Sequence, residues 1–217
     1  MASGLAQSRT SVTPHTGKRW AFRARGLVGA LFVAGFGAAA LCSPPHFTAD
    51  SWGAVACNCA GWVLFTAGAL MRFWSTLYIG GRKLHTLACE GPYSIVRNPL
   101  YVGTFLVWAS AAVYFQSITL GVGVALGIAF YRFFAVPGEE KQLAATLGEP
   151  YEQYLRTVPR FIPRPSLWRS PATITVTVHG LWLECRRASR WVWVPVLAEI
   201  VNHLRVVDGW PQWWMLP

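Results

Sequence analysis

The chain has 217 residues, of which 53% are apolar and only 13% charged, with a formal net charge of +10. A disordered chain is poor in apolar residues and rich in charge, so disorder is excluded, and five cysteines are too few and too odd a number for a disulfide scaffold. What remains is one domain that is either embedded in a membrane or unusually apolar, and the placement of its charges decides for the membrane.

The first 25 residues are polar and basic, with Arg9, Lys18, Arg19, Arg23 and Arg25. Gly26 to Cys42 then runs without a charge. No small-x-small cleavage site precedes Pro44-Pro45, so this run is expected to be a retained helix rather than a signal peptide. Ser51 to Met71 is a second apolar run, close to the ~20 residues that a bilayer core demands. It stops at Arg72, which is expected to snorkel to the headgroups. Leu100 to Phe115 and Ile118 to Phe134 are the third and fourth runs. Only Gln116 and Ser117 join them, which implies an antiparallel helix pair.

Lysine and arginine test this arrangement. Five of the 19 precede the first run, four lie between Arg72 and Arg97, and ten lie from Arg132 onward. The two opposite loops, Ser43 to Asp50 and Gln116–Ser117, hold none. This is the positive-inside pattern. It predicts an all-α integral membrane fold of four spans, about 26–42, 51–71, 100–115 and 118–134, with both termini cytoplasmic and the lipid bilayer as partner. Nucleic acid is not expected as a partner, because no basic stripe with base-stacking aromatics accompanies the charge. Cys57-Asn58-Cys59 lies in mid-span without a His or an acid, so packing is expected there and no metal site.

The cytoplasmic tail begins at Pro137-Gly138. It is predicted to continue as an amphipathic helix from Glu139 to about Thr157, and it breaks at Pro159, Pro163, Pro165 and Pro171. Thr173 to Val178 alternates like a strand. The last part holds seven of the 12 tryptophans, and the stretch from Arg190 to Arg205 is too short and polar to span, so an interfacial helix is expected. The chain thus divides into a basic N-terminus (1–25), a membrane core (26–163) and a Trp-rich tail (164–217), of which the residues after about Pro171 are expected to be dispensable for ligand binding.

The polar residues gather on one face. The Arg97-to-Tyr101 stretch opens the third span and Glu139-Glu140 follows the fourth, so a helix hairpin brings them together. Backbone N–H groups at the start of span three favour an anionic group such as a carboxylate. A carboxylate pair favours an ammonium, and Tyr93 and Tyr101 offer aromatic faces to a cation or a ring. S-adenosylmethionine combines these features.

The spaced elements Gly91-Pro92-Tyr93, Asn98-Pro99-Leu100-Tyr101-Val102-Gly103, Glu139-Glu140, Gly148, Tyr151, Tyr154 and Val158-Pro159-Arg160-Phe161-Ile162-Pro163 resemble the isoprenylcysteine carboxyl methyltransferase family, which is related to the membrane phospholipid methyltransferases. The resemblance covers about 85–163. It implies that His85, Thr86, Leu87, Ala88, Tyr93, Asn98, Pro99, Leu100 and Tyr101 line an S-adenosylmethionine site, with Glu139 at the cofactor's polar end and Glu140 beside it. The family usually has His where this chain has Asn98. It also has an Arg just before the acidic pair, for which Arg132 is the nearest candidate here.

The expected reaction is methyl transfer to a lipophilic, membrane-partitioned acceptor: an isoprenylcysteine-like carboxylate, a lipid amine, or a small thiol or isoprenoid. Glu140 or bulk water would take the proton of an amine acceptor. Two alternatives come from other classes. One is a membrane reductase using a nicotinamide cofactor, and the other is a non-enzymatic scaffold with a degenerate site.

Overall fold

The computed structural model describes residues 35–79, 87–207 and 210–211. Most of the first predicted span, together with His85 and Thr86, lies outside them. The described elements are all helical, in this order: α1 (Trp52–Ile79), α2 (Pro92–Ile95), α3 (Pro99–Tyr114), α4 (Ile118–Phe130), a π-helical turn (Tyr131–Ala135), α5 (Val136–Leu147), α6 (Glu149–Thr157), a 3₁₀ turn (Pro165–Leu167), α7 (Val178–Trp191) and α8 (Trp193–Leu204). Residues 35–41 are helical as well. The alternation over Thr173 to Val178 does not become a strand, since no neighbouring strand offers it a ladder among the described residues.

Among the described residues two helices are long and apolar enough to cross a membrane: α1, and the continuous 30-residue helix Ile118–Leu147. The apolar α3, at 16 residues, is shorter. The central packing is α1 against α3. Gly68 and Gly103 sit at their crossing, and a Cβ on Gly103 would lie 2.8 Å from the Gly68 carbonyl oxygen. Only glycine permits so close an approach, which in an apolar medium is a main source of helix association. The α3–α4 hairpin forms as the sequence predicts. Ser117 caps α4 by accepting a hydrogen bond from the Leu120 N–H at 3.2 Å, and Gln116 takes a positive φ of 48° to turn the chain. The outward sides of α1 and α4 carry exposed Trp62, Val63, Leu70, Val122 and Leu126. A continuous apolar exterior of this kind suits lipid.

Two expectations are corrected. First, α1 does not stop at Arg72 but runs on to Ile79. Arg72 does not snorkel: it is buried, because a carboxylate from the C-terminal segment meets it there. Second, Pro137-Gly138 does not break the fourth helix. The wider π turn precedes it, and the chain instead breaks at Gly148, whose φ of +65° ends α5 and begins α6. A single helix from Glu139 to Thr157 is therefore not what forms.

The tail packs one side of its two helices onto the fold and keeps Trp182, Trp193, Leu197 and Ile200 exposed on the other. Glu184 of α7 faces Arg72, Trp191 and Ala198 pack with Phe65, Val107 and Tyr114, and Asn202 donates to the Tyr114 carbonyl at 2.7 Å. Arg205, 1% exposed, then donates to the carbonyls of Phe115 (2.8 Å) and Pro44 (3.0 Å). Its burial holds its pKa down at about 10. Thus α7 packs along α1 and α8 along α3, and the described C-terminal end lies at the opposite end of α3 from the acidic pair. The ends expected to share one face lie outside the described residues. Arg72, Glu184 and Arg205 are each answered by a partner.

Candidate functional site

The site end is organised by two stretches that cross-link. Residues 159–169 run alongside 91–97. Arg97 N–H donates to the Pro159 carbonyl at 2.9 Å, Arg164 N–H to Ile95 at 2.9 Å, Arg169 N–H to Ser94 Oγ at 3.0 Å, and Gly91 N–H to the Arg169 carbonyl at 2.7 Å. Gly91 is required here. Its φ is +58°, and an added Cβ would fall 2.4 Å from the Tyr78 ring. Tyr154 of α6 donates to the Tyr93 carbonyl at 2.7 Å and packs with Tyr151 and Val158 in a buried cluster against Leu87. Burial pushes the hydroxyl pKa of Tyr93 and Tyr154 upward, and that of Tyr151 up to about 12, where Glu140 adds to the effect. These tyrosines are neutral at physiological pH.

Into this frame the long helix delivers the acidic pair. The Tyr101 hydroxyl lies 2.9 Å and 2.8 Å from the two carboxylate oxygens of Glu139. Glu140, one residue on, is buried and turned toward the cross-linked loops. Arg160 Nη2 donates to its Oε2 at 2.7 Å, Asn98 Nδ2 to its Oε1 at 3.3 Å, and Arg97 Nε stands 3.6 Å from Oε1. Asn98 also reaches the Arg160 carbonyl at 3.3 Å, so its amide bridges two strands of chain rather than capping α3. Pro99 fills the first turn of α3, where a missing N–H costs nothing.

The meeting of 97–101 with 139–140 was legible from topology. Arg160 was not singled out. The only signal for it was its place in Val158–Pro163, where a cation must lie close if that stretch pairs with the Arg97 loop. Among the described residues the buried hydroxyl of Tyr93 and the Nε atoms of Arg97 and Arg160 have no hydrogen-bond partner.

Beside Glu139 stands an aromatic wall. The Tyr131 ring of the π turn lies 5.4 Å from Tyr101 and 5.5 Å from Trp108, and Phe105 lies 5.7 Å from Phe161. Rings from α3, the π turn and the 159–161 stretch thus converge. A π turn widens the helix by one residue and recurs at functional sites; here it aims Tyr131 at α3. Arg132 is exposed at the edge of this wall, its guanidinium 5.8 Å from the Phe161 ring.

A separate cleft of about 560 Å³ is lined by Leu87, Glu90, Ser94, Tyr154, Val158 and Arg169 among others. It adjoins the Tyr93 frame on the α6 side, and neither Tyr101 nor Glu139 lines it. Of the sequence-predicted site residues, the structure therefore brings Asn98, Tyr101, Glu139 and Glu140 into one cluster, puts Tyr93 and Leu87 around Tyr154, and leaves Arg132 at the rim. No three of His, Cys, Asp and Glu gather as a metal site among the described residues.

Comparison with known proteins adds an independent finding. The phospholipid methyltransferase family matches residues 50–149. The nickel-cobalt-cadmium resistance protein NccN of Alcaligenes xylosoxydans xylosoxydans is 31% identical, over 77% of this chain and 78% of that protein. Protein-S-isoprenylcysteine O-methyltransferase B of Arabidopsis thaliana is 32% identical over 46% of this chain and 50% of its own length. Methanethiol S-methyltransferase of Crocosphaera subtropica is 43% identical over 40% of this chain and 34% of its own length. The chain thus spans half or less of these two enzymes. No solved structure matches it.

Proposed function

Because the chain belongs to the phospholipid methyltransferase family, we propose that it transfers a methyl group from S-adenosylmethionine to a lipophilic acceptor held at the aromatic wall. The observation that carries this reading is the Tyr101–Glu139 contact, 2.8–2.9 Å long, beside a second carboxylate bound to two guanidinium groups.

The residues present suit the cofactor. Glu139 offers a carboxylate to its ammonium. The Arg160 Nε, which has no hydrogen-bond partner, offers a positive N–H group to its carboxylate. The rings of Tyr101 and Tyr131 offer negative faces to a sulfonium. When bound, the cofactor supplies an electrophilic methyl on a good leaving group.

What the chain's own residues contribute is position. Tyr101 holds the Glu139 carboxylate by its hydroxyl. Asn98, Arg97 and Arg160 hold Glu140, so that the two acids keep separate partners. Glu140 is therefore assigned to organising the site: its oxygens are already engaged by donors, which leaves solvent rather than Glu140 to take a proton from an amine acceptor. Fixing an acceptor in line with a methyl donor is worth up to roughly 7–11 kcal/mol of barrier. The acceptor enters laterally, past Phe105, Trp108 and Phe161, and an acidic acceptor would meet Arg132 at the rim.

Calorimetric titration with S-adenosylmethionine tests the assignment. A hydrogen bond to a charged group contributes roughly 1.5–3 kcal/mol, so Glu139→Gln should weaken binding by about tenfold or more. Unchanged affinity would remove Glu139 from the site.

A further inference from the structure

Arg72 lies deep in α1, 9% exposed, and Glu184 of α7 is 3% exposed. Arg72 Nε and Nη2 donate to the two oxygens of Glu184 at 2.6 Å and 3.0 Å. Arg187 is a second cation on the same carboxylate, and the Trp191 ring lies 4.9 Å from the guanidinium. One edge of the fork remains. Nη1 donates to Thr104 Oγ1 at 2.6 Å and to the Leu100 carbonyl at 3.2 Å, and the Thr104 hydroxyl donates to that same carbonyl at 2.9 Å.

That carbonyl belongs to the peptide joining Leu100 to Tyr101, the residue whose hydroxyl meets Glu139. The arginine stem reaches it only because residue 103 is glycine, where a Cβ would sit 2.6 Å from Arg72 Cγ.

We infer that Glu184 is a positioning residue for the methyl-donor site, acting through Arg72 on the Leu100–Tyr101 peptide; this rests on the reading proposed above. A planar guanidinium held along its Nε–Nη2 edge by both oxygens of a carboxylate has its Nη1 aimed, whereas an ungripped one can turn among nearby oxygens. The tail beyond Pro171, outside the 50–149 stretch that matches the family, is by this account part of the working site and not dispensable.

The test uses the full-length protein in detergent and S-adenosylmethionine as the probe. Exchanging both partners of a buried ion pair for apolar residues of similar size is tolerated in folding, so Arg72→Met/Glu184→Met should melt close to the parent while binding S-adenosylmethionine about tenfold more weakly. Thr104→Val, which buries no charge, should weaken binding several-fold. Both losses should shrink in a Tyr101→Phe background, because an effect exerted through Tyr101 is not additive with its removal; a merely structural role would leave the losses additive. Parent-like affinity in the folded double variant, or additive losses, overturns the inference. Should the double variant not fold, the Thr104→Val measurement alone and in the Tyr101→Phe background decides. A parent protein that binds no S-adenosylmethionine sinks the functional reading itself, which separates the two failures.

Discussion

Glu140→Gln tests the architecture of the acidic cluster most directly. The substitution keeps the shape and removes the charge that lies between Arg160, 2.7 Å away, and Arg97, 3.6 Å away. Removing one partner of a buried pair costs about 3–5 kcal/mol, because the other charge stays buried. The Arg160 side chain is 35% exposed and can turn to water, whereas that of Arg97 is 13% exposed and cannot. Discounting the Arg160 share for solvent screening leaves about 2–3 kcal/mol. For a chain of this size each kcal/mol moves the midpoint by about 2–4 °C, so a fall of about 4–12 °C is expected in a thermal melt followed by tryptophan fluorescence in detergent. A Glu140→Gln protein that melts within about 1 °C of the parent would refute the organising role. If it also lost a pH-dependent step of methyl transfer, Glu140 would be the proton acceptor after all.

Two further outcomes are expected. In a cysteine-free background carried in intact spheroplasts, a membrane-impermeant maleimide should label Val207→Cys and leave Glu152→Cys unlabelled, because the end of α8 and the exposed side of α6 lie at opposite ends of α3; equal labelling would place them on one face. Alkaline titration gives the second. Tyr151 titrates at about 12 in the folded protein against an ordinary 10, and burial raises Tyr93 and Tyr154 as well. Below pH 10 these hydroxyls are protonated in both the folded and the unfolded states, so their contribution is fully present. Above it the unfolded chain releases protons first, and stability falls as pH rises from 10 toward 12. Loss of secondary structure should accompany or precede the tyrosinate absorbance at 295 nm; free titration of all seven tyrosines near pH 10 with the fold intact would contradict the burial.

The sequence was most legible where charge is scarce. An uncharged two-residue link between apolar runs admits little but a hairpin, and the hairpin carries Asn98, Tyr101, Glu139 and Glu140 to one place. Legibility failed where a charge is answered from far along the chain. Arg72 reads as the end of a span only while its partner is unknown, and nothing near it points to Glu184. Arg205 made the last helix look too polar to bury, yet carbonyls at two chain turns receive it. Pro137-Gly138 reads as a break because a proline ring collides with the carbonyl four residues earlier. The widened turn just before it accommodates the ring, and that turn has no simple sequence signature.

The pairing of Arg72 with Glu184 also sets a schedule for biogenesis. The cation is synthesised 112 residues before its counter-ion, an interval of roughly 5–20 s at ribosomal speed. Throughout it a newly made helix carries a guanidinium whose carboxylate partner does not yet exist. A message cut short ahead of Glu184 would leave that charge stranded for good, so the cell's membrane proteases would meet truncated copies as substrates while sparing finished ones.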